Sequence, residues 1–188
     1  QYVIGLGDIT EKGEDWGHKN NDTEDKTAVG DREWQYARDA ISKMDGVIPY
    51  SLVRGNHDSV AQFTKNFSTD VYRNQFEGFY EDSILNSWRT FKAGNVDYLT
   101  VTLDYGADDD MLNWASEVIA AHPDHRVIVT THAYFFRDGS TLGANDVCPP
   151  STSGGTNNGD DIWDKLISKH ANIVLVVSGH DPCDTIVK

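Results

Sequence analysis

Residues 53–60 read VRGNHDSV, in which an apolar run is followed at once by a glycine, an amide, an imidazole and a carboxylate. The apolar residues VIPYSLV at 47–53 are typical of a buried strand, so the polar residues lie where that strand is predicted to end. Gly55 and Asn56 also suit a sharp turn, and for this stretch alone a polar turn is the simpler interpretation. Other parts of the chain decide between a turn and a site.

The composition limits the classes of protein to which the chain can belong. It has 188 residues, a hydrophobic fraction of 38% and a formal net charge of −14. This length and composition suit one folded domain with a substantial core. Because no basic stripe offsets the acidity, we expect neither a nucleic-acid polymer nor an anionic membrane as a partner. No apolar run reaches the roughly 20 residues that span a bilayer.

Both ends of the sequence lie in apolar stretches. It begins as QYVIGLGDIT, without a signal peptide, and stops as SGHDPCDTIVK enters a new apolar stretch. We therefore expect residues 1–188 to form a single, partial domain that is trimmed at both ends. Cys148 and Cys183 lie in polar or proline-containing segments, and they are either one disulfide or two buried thiols. A disulfide would favour an extracytoplasmic or secreted location, and the alternative is the cytoplasm.

Strand and helix patterns alternate along the chain. The predicted strands are 2–7, 47–53, 126–134 and 172–180, with a hairpin at 89–106 that turns at Gly94-Asn95. The predicted helices are 31–44, 111–119 and 160–169; residues 7–30 are a predicted loop, and 59–86 favour short helices. This order indicates an α/β or α+β fold, a layered β-sheet core flanked by helices.

Polar side chains follow four of the apolar runs, which lead to Asp8, to Asn56 and His57, to His132 and to His180. Ligands of open α/β sheets bind beyond the carboxyl ends of the strands, so we expect these side chains to converge. Carboxylate, amide and imidazole donors suit Mn, Fe, Zn or a related divalent ion. Since the sequence has no tight cysteine cluster, a structural four-cysteine zinc site is excluded.

The ordered set GD at 7–8, GNHD at 55–58, TH at 131–132 and GH at 179–180 resembles the calcineurin-like metallophosphoesterase superfamily over nearly the whole chain. The segments DREWQYARDAI at 31–41 and THAYF at 131–135 further resemble secreted bacterial members. The resemblance implies a dinuclear metal site and hydrolysis of a phosphate mono- or diester, small or macromolecular, by a metal-activated water.

The resemblance also implies a role for each matching residue. Asp8 would bridge the two metals, and Asn56, His132 and His180 would complete the protein ligands of one of them. His57 would protonate the leaving group. Asp58 would orient His57, and Arg54 would contact the phosphate unless it forms a surface ion pair.

Two parts of the family pattern have no counterpart here. The Asp-x-His motif at the end of a first strand is absent, so that strand is expected to be missing. Pro182 stands where the second histidine of GH-x-His is expected, and Asp181 and Asp184 are carboxylates that can substitute for it. We therefore expect at most one metal in this chain, on the Asn56 side, and weak or no activity.

Two alternatives to a phosphoesterase are considered. The first is a degenerate member of the same superfamily that acts as a binding or interaction module. The second is a Ser-His-Asp hydrolase, which is disfavoured because no G-x-S-x-G motif follows a predicted strand.

Overall fold

Two β-sheets carry the residues singled out above, in a computed structural model that describes residues 1–11, 26–146 and 148–181. The strands are β1 (Val3–Ile4), β2 (Tyr50–Ser51), β3 (Gly78–Tyr80), β4 (Ser83–Ala93), β5 (Val96–Thr102), β6 (Arg126–Thr130) and β7 (Ile173–Val177). The α-helices are α1 (Lys26–Ile41), α2 (Val60–Asn66), α3 (Thr69–Tyr72), α4 (Asp109–Ala120) and α5 (Gly159–Lys165). Short 3-10 helices cover Ser42–Met44, Pro150–Thr152 and Ile167–Lys169.

The larger sheet is mixed, with the strand order β3-β4-β5-β6-β7. Strands β3 to β5 are antiparallel, and β5, β6 and β7 run parallel to one another. The smaller sheet pairs β1 and β2 in parallel. The predicted hairpin is confirmed, since β4 pairs with β5 as far as Ala93 and Val96, and Gly94 has the positive φ of 61° that such a tight turn needs.

Two hydrophobic clusters hold the layers together. One packs α4 and α5 against β5 and β6; its members include Leu99, Val101, Leu112, Ile119, Val127, Val129 and Ile162. The other packs α1, α2 and α3 around β2 and β4; its members include Trp34, Tyr50, Phe63, Phe67, Tyr72 and Ile84. Aromatic edges meet ring faces throughout the second cluster, as between Trp34 and Phe63 at 6.2 Å.

The predicted fold class is confirmed, while several element boundaries differ. Helix α1 begins at Lys26, inside the predicted loop, and residues 12–25 of that loop lie outside the described residues. The strands predicted at 2–7 and 47–53 contain only two strand residues each. Strand β4 begins at Ser83, in a region where short helices were favoured.

Strand β7 was predicted to be buried, and this was wrong. It pairs only with β6 in the described part of the chain, so it forms an edge of the sheet. Val174 is 53% exposed and Leu175 is 49% exposed. A continuous apolar run does not reveal whether a strand has neighbours on one side or on both. No helix among the described residues is long and apolar enough to cross a membrane.

Candidate metal centre

Strand pairing brings the four polar strand ends together two by two. The pairing of β1 with β2 continues in the hydrogen bond from Gly5 N to Ser51 O, at 2.9 Å. Beyond β6 and β7, Gly179 N donates to His132 O at 2.9 Å. Because the strands within each pair are parallel, their carboxyl ends lie at one edge of the sheet. Asp8 and Asn56 follow one pair, and His132 and His180 follow the other.

The four side chains converge on a common point. His132 Nε2 lies 3.2 Å from Asp8 Oδ2, 3.1 Å from Asn56 Oδ1 and 3.3 Å from His180 Nδ1. His180 Nδ1 lies 2.9 Å from Asn56 Oδ1. The structure therefore brings together all four residues that the sequence analysis proposed as metal ligands.

Main-chain carbonyls determine which nitrogen of each ring carries the proton. His132 Nδ1 lies 2.6 Å from Leu6 O, and His180 Nε2 lies 3.0 Å from Cys148 O. A carbonyl oxygen can only accept, so these two nitrogens are the donors. In the neutral rings, His132 Nε2 and His180 Nδ1 therefore present lone pairs. Metal-binding histidines are commonly oriented in this way, by donating their second N–H to a carbonyl.

The resulting cluster contains four electron-pair donors and no proton to share among them. The Asp8 carboxylate and the Asn56 amide oxygen also only accept, so the four atoms repel one another unless a cation lies between them. An ion bound at about 2.1 Å separates adjacent ligand atoms by about 3.0–3.4 Å in tetrahedral or octahedral geometry. The separations of 2.9–3.3 Å agree with this geometry. The residues therefore fit a divalent cation.

The amide oxygen of Asn56 is essential to this arrangement. In residues 1–11, 26–146 and 148–181, no three His, Cys, Asp or Glu side chains form a metal-binding group by themselves. Asn56 Oδ1 is the atom that contacts both imidazoles, at 3.1 Å and 2.9 Å. A search limited to His, Cys, Asp and Glu ligands therefore misses this candidate metal site, because it leaves out the Asn56 amide oxygen.

The surroundings favour the metal-binding protonation states. Burial lowers the pKa of His180 and is only partly opposed by the bond to the Cys148 carbonyl, which favours the neutral ring. Burial raises the pKa of Asp8, but two contacts outweigh it and the net shift is downward: His132, which attracts the carboxylate when its Nε2 carries a proton, and the His57 backbone N–H. An ionised carboxylate and neutral imidazoles are the forms that bind metal.

The backbone around the ligands is unusual. Asp8 and His180 have φ angles of 50° and 66°, in the left-handed region that residues with a side chain seldom adopt. The preceding Gly7 also has a positive φ, of 88°. A Cβ at Gly55 would overlap the Asp8 carboxylate, and one at Gly7 would overlap the His132 ring. The glycines of GD and GNHD thus permit the close approach of the two loops.

His57 lies beside the cluster rather than in it. Its backbone N–H donates to Asp8 Oδ1 at 3.0 Å, and its ring Nδ1 lies 3.1 Å from the carbonyl oxygen of Glu11. The Glu11 carboxylate is 3.9 Å from the same ring nitrogen. The side chain is 33% exposed and lines a pocket of about 260 Å³. The sequence analysis did not predict the contact of Glu11 with His57. The position of Glu11, three residues after Asp8 in the same loop, is the signal that could have indicated it.

Asp58 does not orient His57, which corrects the expected role. Its buried carboxylate accepts hydrogen bonds from the backbone N–H groups of Ile9, Thr10 and Gly55, at 3.0, 2.8 and 3.0 Å. It also accepts from Thr10 Oγ1 at 2.9 Å. Asp58 therefore joins the loop that carries Asp8 to the loop that carries Asn56.

Arg54 is neither a phosphate contact nor a surface ion pair, so both expectations are corrected. Its side chain is 9% exposed, and its Nε lies 2.7 Å from Asp104 Oδ1. Nη2 lies 3.2 Å from the other Asp104 oxygen, and Nη1 donates to the carbonyl oxygens of Gly55 and Asp58. Arg54 is buried because it has a partner fifty positions along the chain, the carboxylate of Asp104, which follows β5.

The structure tests only some of the predictions made for the GH motif at 179–180 and for the residues that follow it. Asp181 was a possible substitute ligand, but its carboxylate forms an ion pair with Arg137 at 3.1 Å. Pro182 and Asp184 lie outside the described residues, as does Cys183. Cys148 is exposed and lines the same pocket as His57. Its pairing with Cys183, and the location inferred from that pairing, therefore stay predictions.

Comparison with known proteins gives the class to which this fold and site belong. The family model of the calcineurin-like phosphoesterases matches residues 1–184, so the chain belongs to that family of metal-dependent enzymes that act on phosphate esters. It is similar to the uncharacterized protein YvnB of Bacillus subtilis (strain 168), with 25% identity over 189 residues. That match covers 96% of this chain and 12% of the relative, so the chain spans about one-eighth of the relative's length.

Proposed function

We propose that this domain hydrolyses a phosphate mono- or diester, with one divalent cation held by Asp8, Asn56, His132 and His180. The observation that carries the proposal is the cluster of four lone-pair donors, in which both imidazoles donate their other N–H to carbonyls. The mixed oxygen and nitrogen ligands suit Mn, Fe or Zn. A bound cation of this kind neutralises phosphate charge and lowers the pKa of water towards 7.

His57 is the proposed general acid. Since its Nδ1 donates to the Glu11 carbonyl, Nε2 is the nitrogen that gives a proton to the departing oxygen, and it does so from the doubly protonated ring. Its backbone N–H binds Asp8 Oδ1, so the acid and the metal ligand are held together by a single hydrogen bond. Asp58 and Arg54 act indirectly, by fixing the two loops.

The described residues supply one cation site rather than two. Asp8 is the one carboxylate in the cluster, and Asp181, the other carboxylate that lines the pocket, is paired with Arg137. A single cation site also favours the second candidate function, a binding module that holds the metal but hydrolyses phosphate esters slowly. Metal content and turnover, measured on the same sample, separate the two.

The test uses metal-free protein that is reloaded with Mn²⁺, Zn²⁺ or Fe²⁺ and supplied with p-nitrophenyl phosphate and bis-p-nitrophenyl phosphate. We expect one tightly bound metal per chain and hydrolysis of at least one ester. The Asn56→Ala and His132→Ala variants should lose both metal and activity. His170→Ala is the control, since His170 bonds to Ser116 instead of to the cluster. Hydrolysis without any metal would contradict the proposal, and bound metal without hydrolysis would favour the binding module.

A further inference from the structure

The pocket beside the metal ligands contains one permanently charged cation among its described residues. Its lining residues are Asp8, Asn56, His57, Arg137, Cys148, His180 and Asp181. An arginine keeps its charge at every physiological pH, whereas the two histidines of the lining do not. Arg137 was not singled out from the sequence, because it follows three aromatic residues after β6 and matches no part of the family pattern.

The Arg137 side chain is held at one edge and open at the other. Asp181 Oδ1 lies 3.1 Å from Nη2, and Asp181 Oδ2 lies 3.4 Å from Nε and 3.2 Å from the backbone nitrogen of Arg137. The guanidinium carbon also lies 5.2 Å from the centre of the Phe136 ring. Asp181 is 8% exposed and Arg137 is 60% exposed, so the carboxylate is the anchor and the guanidinium is accessible.

This arrangement leaves hydrogen-bond donors for a ligand. A guanidinium has five N–H groups, and Asp181 is the only acceptor that binds it within the described part of the chain. The buried Asp181 carboxylate has the backbone N–H of Arg137 as a second partner, so its burial does not by itself require the guanidinium to remain accessible. An arginine held by a carboxylate is, however, suited to bind phosphate oxygens through two parallel hydrogen bonds.

Asp181 also connects Arg137 to the metal centre. It directly follows His180, and the backbone of Asp181 donates to Gly179 O at 2.9 Å. The guanidinium is therefore positioned from the same short turn that presents a metal ligand. A phosphate in this pocket would be bordered both by Arg137 and by the proposed metal ligands Asp8, Asn56 and His180.

We infer that Arg137 binds the non-bridging oxygens of the substrate phosphate and that Asp181 positions it. The inference rests on the proposed phosphoesterase function and adds to it a residue that recognises the substrate. Arg137 thereby supplies positive charge at a pocket for which the described residues provide only one cation site.

The test measures binding of inorganic phosphate to the Mn²⁺-loaded protein by calorimetry, together with KM and kcat for p-nitrophenyl phosphate. We expect Arg137→Gln to weaken phosphate binding and raise KM by about 10–100-fold, since charge-assisted hydrogen bonds are lost. Arg137→Lys, which keeps the charge without the planar pair of donors, should fall between Arg137→Gln and wild type. Asp181→Asn should weaken binding less than Arg137→Gln, because the guanidinium remains.

Arg73→Gln is the matched control. Arg73 also pairs with an aspartate, Asp82, at 2.9 Å, and its side chain is 54% exposed, but it lines a different pocket. It should leave phosphate binding and KM unchanged. If wild type binds phosphate and Arg137→Gln binds it as tightly as Arg73→Gln does, the inference is overturned while the proposed function stands. If wild type neither binds phosphate nor hydrolyses an ester, both are overturned.

Discussion

At the scale of single residues, the consecutive positions Asn56 and His57 serve different purposes. The Asn56 side chain meets both metal-site imidazoles, whereas the His57 ring bonds to the Glu11 carbonyl and lines the pocket. Only the backbone N–H of His57 reaches Asp8. An amide, an imidazole and a carboxylate can thus be adjacent in sequence because each faces a different partner.

This division predicts the behaviour of the His57→Asn variant. Because the ring makes no contact with the metal-site nitrogens, metal content should stay near that of wild type. Loss of the general acid should lower kcat by about 10²–10⁴-fold, and esters with good leaving groups should lose less because they need no proton. Metal analysis and steady-state kinetics on one preparation check both expectations. Loss of the metal together with the activity would show instead that His57 is a ligand.

At the scale of elements, the loops that follow β1, β2 and β5 are joined by buried charge. Asp58 binds the backbone of the loop after β1, and Arg54 binds Asp104 after β5. Asp104 is itself held by its backbone N–H, which donates to Asn86 Oδ1 on β4 at 2.9 Å. These contacts join short loops that have little regular structure of their own, and they add to the support from β1 and β2, which have only two residues each.

The Arg54–Asp104 pair makes a stability prediction. Arg54→Met leaves Asp104 buried without its partner and should lower the free energy of unfolding by about 3–5 kcal/mol. The double variant Arg54→Met/Asp104→Leu should recover much of that loss, since no unpaired charge remains. Urea denaturation of Arg54→Met, of Asp104→Leu and of the double variant measures the coupling energy between the two side chains.

The exposed pair Arg73–Asp82 is the control for that cycle. Its side chains are 54% and 61% exposed, so breaking it should cost less than about 1 kcal/mol. A loss as small as this for Arg54→Met would contradict the assigned role of the buried pair.

At the scale of the whole molecule, the proposed metal ligands come from loops after four strands in two sheets. Asp8 and His180 are separated by nearly the whole chain, and their meeting depends on both sheets being formed. Because such a site does not exist in the unfolded chain, metal binding must stabilise the fold. At a free metal concentration 100 times Kd, the gain is about 2.7 kcal/mol.

That linkage predicts a pH-dependent rise in Tm on adding metal. Since burial lowers the pKa of His180, the folded protein prefers the neutral ring, and stability is lost as the pH falls below the ordinary imidazole value of about 6.5. Protons also compete with the metal in this range, so the metal-induced rise in Tm should be full at pH 7.5 and smaller at pH 5.5. Thermal unfolding with and without Mn²⁺ measures it. A rise that persists in His180→Ala would contradict the assignment of that ligand.

Much of the site was predictable because it depends on local pattern and chain direction. Apolar runs that end in Asp8, Asn56, His132 and His180 can be recognised within about ten residues each. Parallel strands then bring the ends within each sheet together, while the packing of the two sheets brings the two pairs to each other. The hairpin at Gly94 and helix α4 were predictable for the same reason, since their signals are contiguous.

The sequence by itself therefore determined the family, the fold class and the candidate ligands. Only the tertiary structure decided which partner each neighbouring charge would have. Arg54 meets Asp104, Asp58 meets the backbone of Ile9 and Thr10, and Arg137 meets Asp181. It also decided that, among the described residues, β7 pairs with β6 alone. These outcomes depend on how segments distant in sequence are packed against each other, and neither charge pairing nor the number of neighbours of a strand has a periodic signature in a single chain.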